Sequence, residues 1–152
     1  MMVKMEFFMK EIKHSRGINN DIYQDSLKIR KAVFVKEQQV PQNLEIDADE
    51  DLCTYFNIYL DGQVVATARF SPTADNGVHI QRVAVLSDFR QQHLGSELIK
   101  TIVQYARDHD YAYAILGAQD HAQAFYKNLG FKVIGEQYTE VGILHHDMKL
   151  NL

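Results

Sequence analysis

From His79 to Ile102 the chain reads HIQRVAVLSDFRQQHLGSELIKTI. A strand-like run, His79 to Leu86, passes through a short polar segment into an amphipathic helix with a single glycine, Gly95. A helix N-terminus leaves backbone N–H groups unpaired and carries partial positive charge. A strand that leads straight into such a terminus aims those donors into a crevice, where phosphate oxygens fit. Arg90 adds a permanent positive charge, Gln91 and Gln92 add polarity, and Ser96 adds a hydroxyl in the first turn. The chemistry is anion binding, best suited to a pyrophosphate. The other reading is a solvated loop with an arginine near the surface.

Other polar groups invite chemical readings. His145, His146 and Asp147 are adjacent, but neighbouring strand residues point to opposite faces, so the two histidines do not share one ion on a regular strand. No cysteine pair or H-x-x-x-H spacing supports zinc, and no metal is expected. Cys53 is the only cysteine and reads as a small buried hydrophobe. The acidic run Glu45, Asp47, Asp49, Glu50 and Asp51 either attracts a cationic amine or is a solvated loop.

The elements that must position these residues follow from periodicity. Met5 to Ile12 is expected as a first strand. Asp21 to about Gln38 is expected as a helix, with Ile22, Ile29 and Val33 on one stripe. Val40-Pro41 stops it. Two strands flank the hairpin signal Asp61-Gly62, and Val78 to Val85 is the next strand. On that strand, alternation puts His79, Gln81 and Val83 on one face and Ile80, Arg82 and Ala84 on the other. Leu94, Leu98, Ile102 and Tyr105 share a helical face, which predicts a helix over about Gln92 to His109. YAYAILGA is a short buried strand, QDHAQAFYKNLGF a helix closed by Gly130, and FKVIGEQY and ILHHDMKL two closing strands. The expected fold is mixed α/β (α+β): one mostly antiparallel sheet flanked by helices, in the order βαβββαβαββ with the first helix open to division.

The 152 residues favour one domain, 1–152, able to bury a real core. With 46% hydrophobic and 24% charged residues the chain has a globular rather than a disordered composition. A net charge of −4 argues against nucleic-acid binding, which needs a basic surface. No apolar run reaches the roughly 18 residues that span a membrane, and MMVKMEFFMKEIKHS is not a signal peptide. A lone cysteine fits a reducing compartment, so the expected location is cytoplasmic. No G-x-G-x-x-G or Walker sequence supports a dinucleotide or P-loop reading.

The strand-to-helix stretch resembles the GNAT superfamily of acyl-CoA-dependent N-acyltransferases. Its phosphate loop reads Arg/Gln-x-x-Gly-x-Gly/Ala, and Arg90, Gln91, Gln92, His93, Leu94 and Gly95 occupy that pattern after RVAV. AQAFYKNLGF resembles the family's later helix. IRKAVFVKEQQVP…EID…D and LGAQ…FYKNLGF…Y.E.GI.H..M are similar to the small bacterial ElaA-like and YjcF-like branches. The likeness runs from Ile29 almost to the end. One residue departs from the pattern: the first loop glycine is His93, which adds a side chain where glycine allows close approach and unusual backbone angles.

The resemblance implies that acetyl-CoA is the acetyl donor and that the loop Arg90, Gln91, Gln92, His93, Leu94, Gly95 and Ser96 binds it. Backbone N–H groups near Val83, Ala84 and Val85 would polarise the thioester, and the same strand would pair with the pantetheine amides. Tyr126 stands where the family places a general acid near the sulfur; as a phenol with a pKa of about 10 it suits protonation of a thiolate. Ala122, Phe125, Tyr126 and Leu129 also fit one apolar face, so a core tyrosine is the other reading. His79 is a candidate base, with Glu45, Glu140 and His145 as further candidates near the acceptor. Water alone could also take the proton.

The leading function is an acetyl-CoA-dependent N-acetyltransferase acting on a primary amine of a small molecule or peptide. A non-catalytic acyl-CoA-binding module for sensing or assembly is the alternative. Neither nucleic acid nor membrane is an expected partner, and a monomer or homodimer is expected.

Overall fold

The computed structural model describes residues 9–152. Among the described residues seven strands form one sheet in the order β1-β2-β3-β4-β5-β7-β6. The strands are β1 (Lys10–Arg16), β2 (Thr54–Leu60), β3 (Gln63–Pro72), β4 (Gly77–Val85), β5 (Tyr113–Gln119), β6 (Lys132–Glu140) and β7 (Ile143–Asn151). Helices α1 (Asp21–Arg30), α2 (Gln42–Glu45), α3 (Leu94–Asp108) and α4 (Gln123–Asn128) connect and flank them. The order is the expected one with the first helical region divided. The first strand runs to Arg16, four residues past its expected end at Ile12, and Met5 to Phe8 lie outside the described residues.

Local chemistry accounts for the boundaries. The Asn20 side chain accepts from the Tyr23 N–H at 2.8 Å and caps α1. After Arg30 the helix widens into a π-helical segment, Lys31–Glu37, whose last bond runs from Gln38 N–H to Val33 O at 3.0 Å. Asp61 and Gly62 both take positive φ, 48° and 84°, as a type I′ hairpin requires.

Each face of the sheet is covered by a helix. Leu98, Ile99, Ile102, Val103 and Ala106 of α3 pack on Phe56, Ile58, Phe70 and Ile80. On the opposite face Ile29 and Val33 pack on Ala84, and Ser26 of α1 hydrogen-bonds Thr67 of β3 at 2.7 Å.

Two irregularities of β4 shape the molecule. First, β4 and β5, the only parallel pair among the described residues, are joined solely across Gly77–His79 and Tyr113–Ile115. Every other strand pair is antiparallel. Beyond His79 the two strands are unpaired, and the sheet opens as a wedge.

Second, a bulge interrupts the β3–β4 ladder. Thr67 faces Ala84, but Arg69 faces Gln81, so Arg82 and Val83 together oppose Ala68. Arg82 takes φ 56°. The expected alternation on this strand therefore fails. Ile80 packs with α3, yet Ala84 packs with α1 on the opposite face. Arg82 joins Gln81 on the α1 side, and Val83 turns to the other cluster.

Candidate active site

The wedge opens onto a cavity of about 410 Å³. Its floor is β4 from Ile80 to Val83, and one wall is Gly117 and Gln119 of β5 with Ala122 and Tyr126. Phe34, Gln38 and Val40 close a second wall from the π-helical segment and its exit. Glu140, Val141, Ile143 and His145 reach in from the β6–β7 hairpin.

A second cavity, of about 350 Å³, lies at the start of α3 and is lined by Val85, Arg90, Gln91, His93, Gly95, Ser96 and Phe125 among others. Here Glu97 N–H is the first donor satisfied within the helix, by His93 O at 3.1 Å. The N–H groups of Leu94, Gly95 and Ser96 remain for a ligand. Gln91 and His93 have φ of 68° and 61°, a left-handed backbone that turns successive N–H groups to one side. His93 thus keeps the conformation that glycine adopts freely, at a cost of about 1–2 kcal/mol. A Cβ on Gly95 would meet Phe125 at 3.7 Å, an ordinary contact, so Gly or Ala fits there. These donors and this space suit a diphosphate.

The two cavities adjoin. Val83 faces one and Val85 the other, two residues apart on β4, or about 7 Å. Tyr126 and Phe125 of α4 divide in the same way.

Comparison with known proteins agrees with this geometry. The model for the acetyltransferase (GNAT) domain matches residues 16–152. The N-acetyltransferase YjcF of Bacillus subtilis, itself uncharacterised, is 33% identical over 131 residues, 86% of this chain and 93% of that protein. The crystal structure of Escherichia coli ElaA superposes with a TM-score of 0.80 at 31% identity, covering 93% of this chain and 99% of ElaA. An acyl-CoA N-acyltransferase from Pseudomonas aeruginosa gives a TM-score of 0.83 at 29% identity, covering 93% and 99%.

The chain belongs to the GNAT acetyltransferase family. It is an enzyme of the acyl-CoA-dependent N-acyltransferase class.

In this GNAT enzyme the residues singled out by sequence fall as follows. Tyr126 lines the first cavity, and its ring packs edge-on against Phe125 and Phe131 at 4.9 and 6.1 Å. Its hydroxyl has no hydrogen-bond partner among the described residues, and burial pushes its pKa up to about 12. The ring is packed as a core tyrosine's would be, and the phenol oxygen is left without a partner among the described residues.

His79 does not line the cavity. Burial lowers its pKa, so the ring is neutral at neutral pH, and its Nδ1 lies 3.4 Å from Gln81 Nε2. His145 does line the cavity and is 8% exposed. Glu140 is exposed at the rim. His146 points to the other face of β7, where its Nδ1 lies 2.8 Å from Asp120 Oδ1. Among the described residues no three His, Cys, Asp or Glu side chains gather as a metal site.

The acidic run is neither a solvated loop nor an open cation trap. Glu45 and Glu50 are buried, at 2% and 6% exposure. Arg30 donates from Nε to Glu45 Oε1 at 2.6 Å and from Nη1 to Glu50 Oε1 at 2.7 Å. Arg69 donates to Glu50 Oε2 at 2.6 Å and to Asp47 Oδ2 at 2.7 Å. Arg82, on the bulge, donates to the Glu45 carbonyl at 3.0 Å. Burial pushes the Glu50 carboxyl up, but hydrogen bonds from Arg30 and the Asp47 N–H, with the Arg69 charge, hold it well below the usual carboxylate range. The network fixes the wall of the cavity to its floor. Only Asp49 and Asp51 of the run are exposed.

Sequence reasoning missed Arg30, Arg69 and Arg82 as partners of that run, because their separations of 15 to 37 residues carry no local signal. It also missed Glu37. Arg90 is bound to Glu37 through both guanidinium Nη atoms, and its Nε donates to Val85 O at 3.1 Å. Cys53 is buried; its thiol donates to Asp49 O at 3.3 Å, and burial pushes its pKa up. This is an inert, structural cysteine.

Proposed function

We propose that this enzyme transfers the acetyl group of acetyl-CoA to a primary amine of a small molecule or peptide by direct attack on the thioester. The observation that carries the reading is the pair of adjoining cavities, bridged by the unpaired edge of β4 and by α4. One suits a diphosphate. The other is roomy, half polar and placed where an extended tail from the first would end.

In this reading the N–H groups of Leu94, Gly95 and Ser96 hold the diphosphate, with Arg90 beside them. The open edge of β4 around Val83, Ala84 and Val85 offers backbone groups to the pantetheine amides and an N–H to the thioester oxygen. The bulge at Arg82 reorients the backbone at that point. Tyr126 donates a hydrogen bond, then a proton, to the leaving sulfur. The P. aeruginosa relative, an acyl-CoA N-acyltransferase, supports the donor class.

The test is a screen of primary amines with acetyl-CoA, read by mass spectrometry of the products and by thiol release. An acetylated amine formed only with enzyme supports the reading. Acetyl-CoA bound without turnover of any amine leaves a binding module instead.

A further inference from the structure

We infer that His145 is the base that takes the proton from the acceptor ammonium, a step that rests on the acetyl-transfer reading above. The tautomer is fixed by a neighbour: Nδ1 lies 2.8 Å from the carbonyl oxygen of Ile143. A carbonyl only accepts, so Nδ1 carries the hydrogen and Nε2 presents its lone pair. Nε2 has no partner among the described residues, and it is not one of the fully enclosed unpaired atoms. Since His145 is 8% exposed and lines the first cavity, that small accessible part is turned to the acceptor space.

The ring is also held still. Tyr138 of β6 stacks on it at 5.6 Å with an interplanar angle of 17°. Tyr138 is itself fixed by donating to Asp147 Oδ1 at 2.7 Å. Gly117 leaves room for that phenol, because a Cβ there would meet the Tyr138 oxygen at 2.4 Å. The ring thus has one hydrogen-bonded nitrogen, one packed face and one free nitrogen, which is what a positioned base needs.

Glu45 and His79 lack a free lone pair at the cavity. Glu45 Oε1 is occupied by Arg30, and Oε2 is fully enclosed, out of reach of a ligand. His79 lies outside the lining. Glu140 stands exposed at the rim, and with Glu45 and the Arg82 guanidinium it makes up the charged side chains of the lining.

The step balances as follows. The ammonium gives one proton to Nε2, directly or through one water, and becomes a neutral amine. Its lone pair attacks the thioester carbonyl, forming the C–N bond. The tetrahedral adduct collapses, breaking the C–S bond, and the second amine proton ends on sulfur by way of Tyr126. The imidazolium proton leaves to solvent, so amide, CoA thiol and one proton are formed.

The experiment uses His145→Gln in the full chain, with one alkylamine and one arylamine from the screen. An alkylamine is protonated at pH 7 and needs the base; an arylamine is already neutral. Expected for the variant are acetyl-CoA affinity equal to wild type by calorimetry, an alkylamine kcat at least about a hundredfold lower, and an arylamine kcat within about threefold. Equal losses on both amines, or no loss on either, overturn the assignment. Nitrogen-15 chemical shifts of the wild-type imidazole give a reading independent of the variant's folding. They should show hydrogen on Nδ1 and a bare Nε2, and hydrogen on Nε2 overturns the assignment as well. A wild type that releases no thiol with any amine defeats the acetyl-transfer reading instead.

Discussion

Glu37, at the end of the π-helical segment, grips Arg90 at two points: Nη1 to Oε1 at 2.5 Å and Nη2 to Oε2 at 2.7 Å. The pair joins the diphosphate-suited cavity to the segment that walls the first cavity through Phe34 and Gln38. The Arg90 hydrogen bonds hold the Glu37 carboxyl below the usual range. A ligand phosphate must compete with this carboxylate for the guanidinium. Arg90→Ala is expected to weaken CoA binding about five- to a hundredfold. Glu37→Gln is expected to tighten it severalfold at low salt, with the gain fading as salt rises. Titration calorimetry of both variants decides. Unchanged affinity in both removes Arg90 from phosphate binding.

His93 occupies left-handed backbone without a capping hydrogen bond. His93→Gly should relieve about 1 kcal/mol of strain and raise Tm by about 2–4 °C. Calorimetric melting checks it, and a lower Tm would mean that the imidazole makes a compensating contact.

Tyr126→Phe keeps the ring contacts with Phe125 and Phe131 and removes the unpartnered hydroxyl. Turnover should fall about a hundredfold while Tm and acetyl-CoA affinity stay close to wild type. A variant that retains a third of wild-type kcat sinks the acid role.

Glu50 accepts from Arg30, Arg69, Tyr23, Tyr55 and the Asp47 N–H. Glu50→Gln leaves buried guanidinium groups short of charge and should cost about 3–5 kcal/mol in urea unfolding. The sign of the pH effect follows from its depressed pKa. Its stabilisation is fully present above the ordinary unfolded value of about 4.3 and drains away as pH falls toward the lower folded value. Wild type should therefore lose stability steeply below about pH 4, and the variant should lose less over that span.

Much of this was legible in the chain. The α3 stripe of Leu94, Leu98 and Ile102 and the Asp61-Gly62 turn are periodic or local signals, and both elements formed as read. The passage from strand to helix across Arg90 to Ser96 was legible because a helix start depends on consecutive residues. The faces of β4 were not, since the bulge at Arg82 arises from pairing with β3 and reverses the alternation halfway along. The Arg30–Glu45–Glu50–Arg69 network was hidden for the same reason: charges look solvated in sequence until distant partners bury them. His145 was visible only as one polar residue among several; the Ile143 carbonyl and Tyr138 ring that distinguish it are contacts of the folded hairpin.

The divergence of β4 from β5 leaves a strand edge open in the middle of a sheet rather than at its margin. Open edges recruit other chains. Here the edge is recessed between two strands, so a second protein chain reaches it poorly while a thin, flexible ligand reaches it easily. The wedge is thus a size filter on association as much as a groove for chemistry. A ligand lying along it completes the sheet and adds its binding energy to the stability of the fold, in proportion to the logarithm of its concentration.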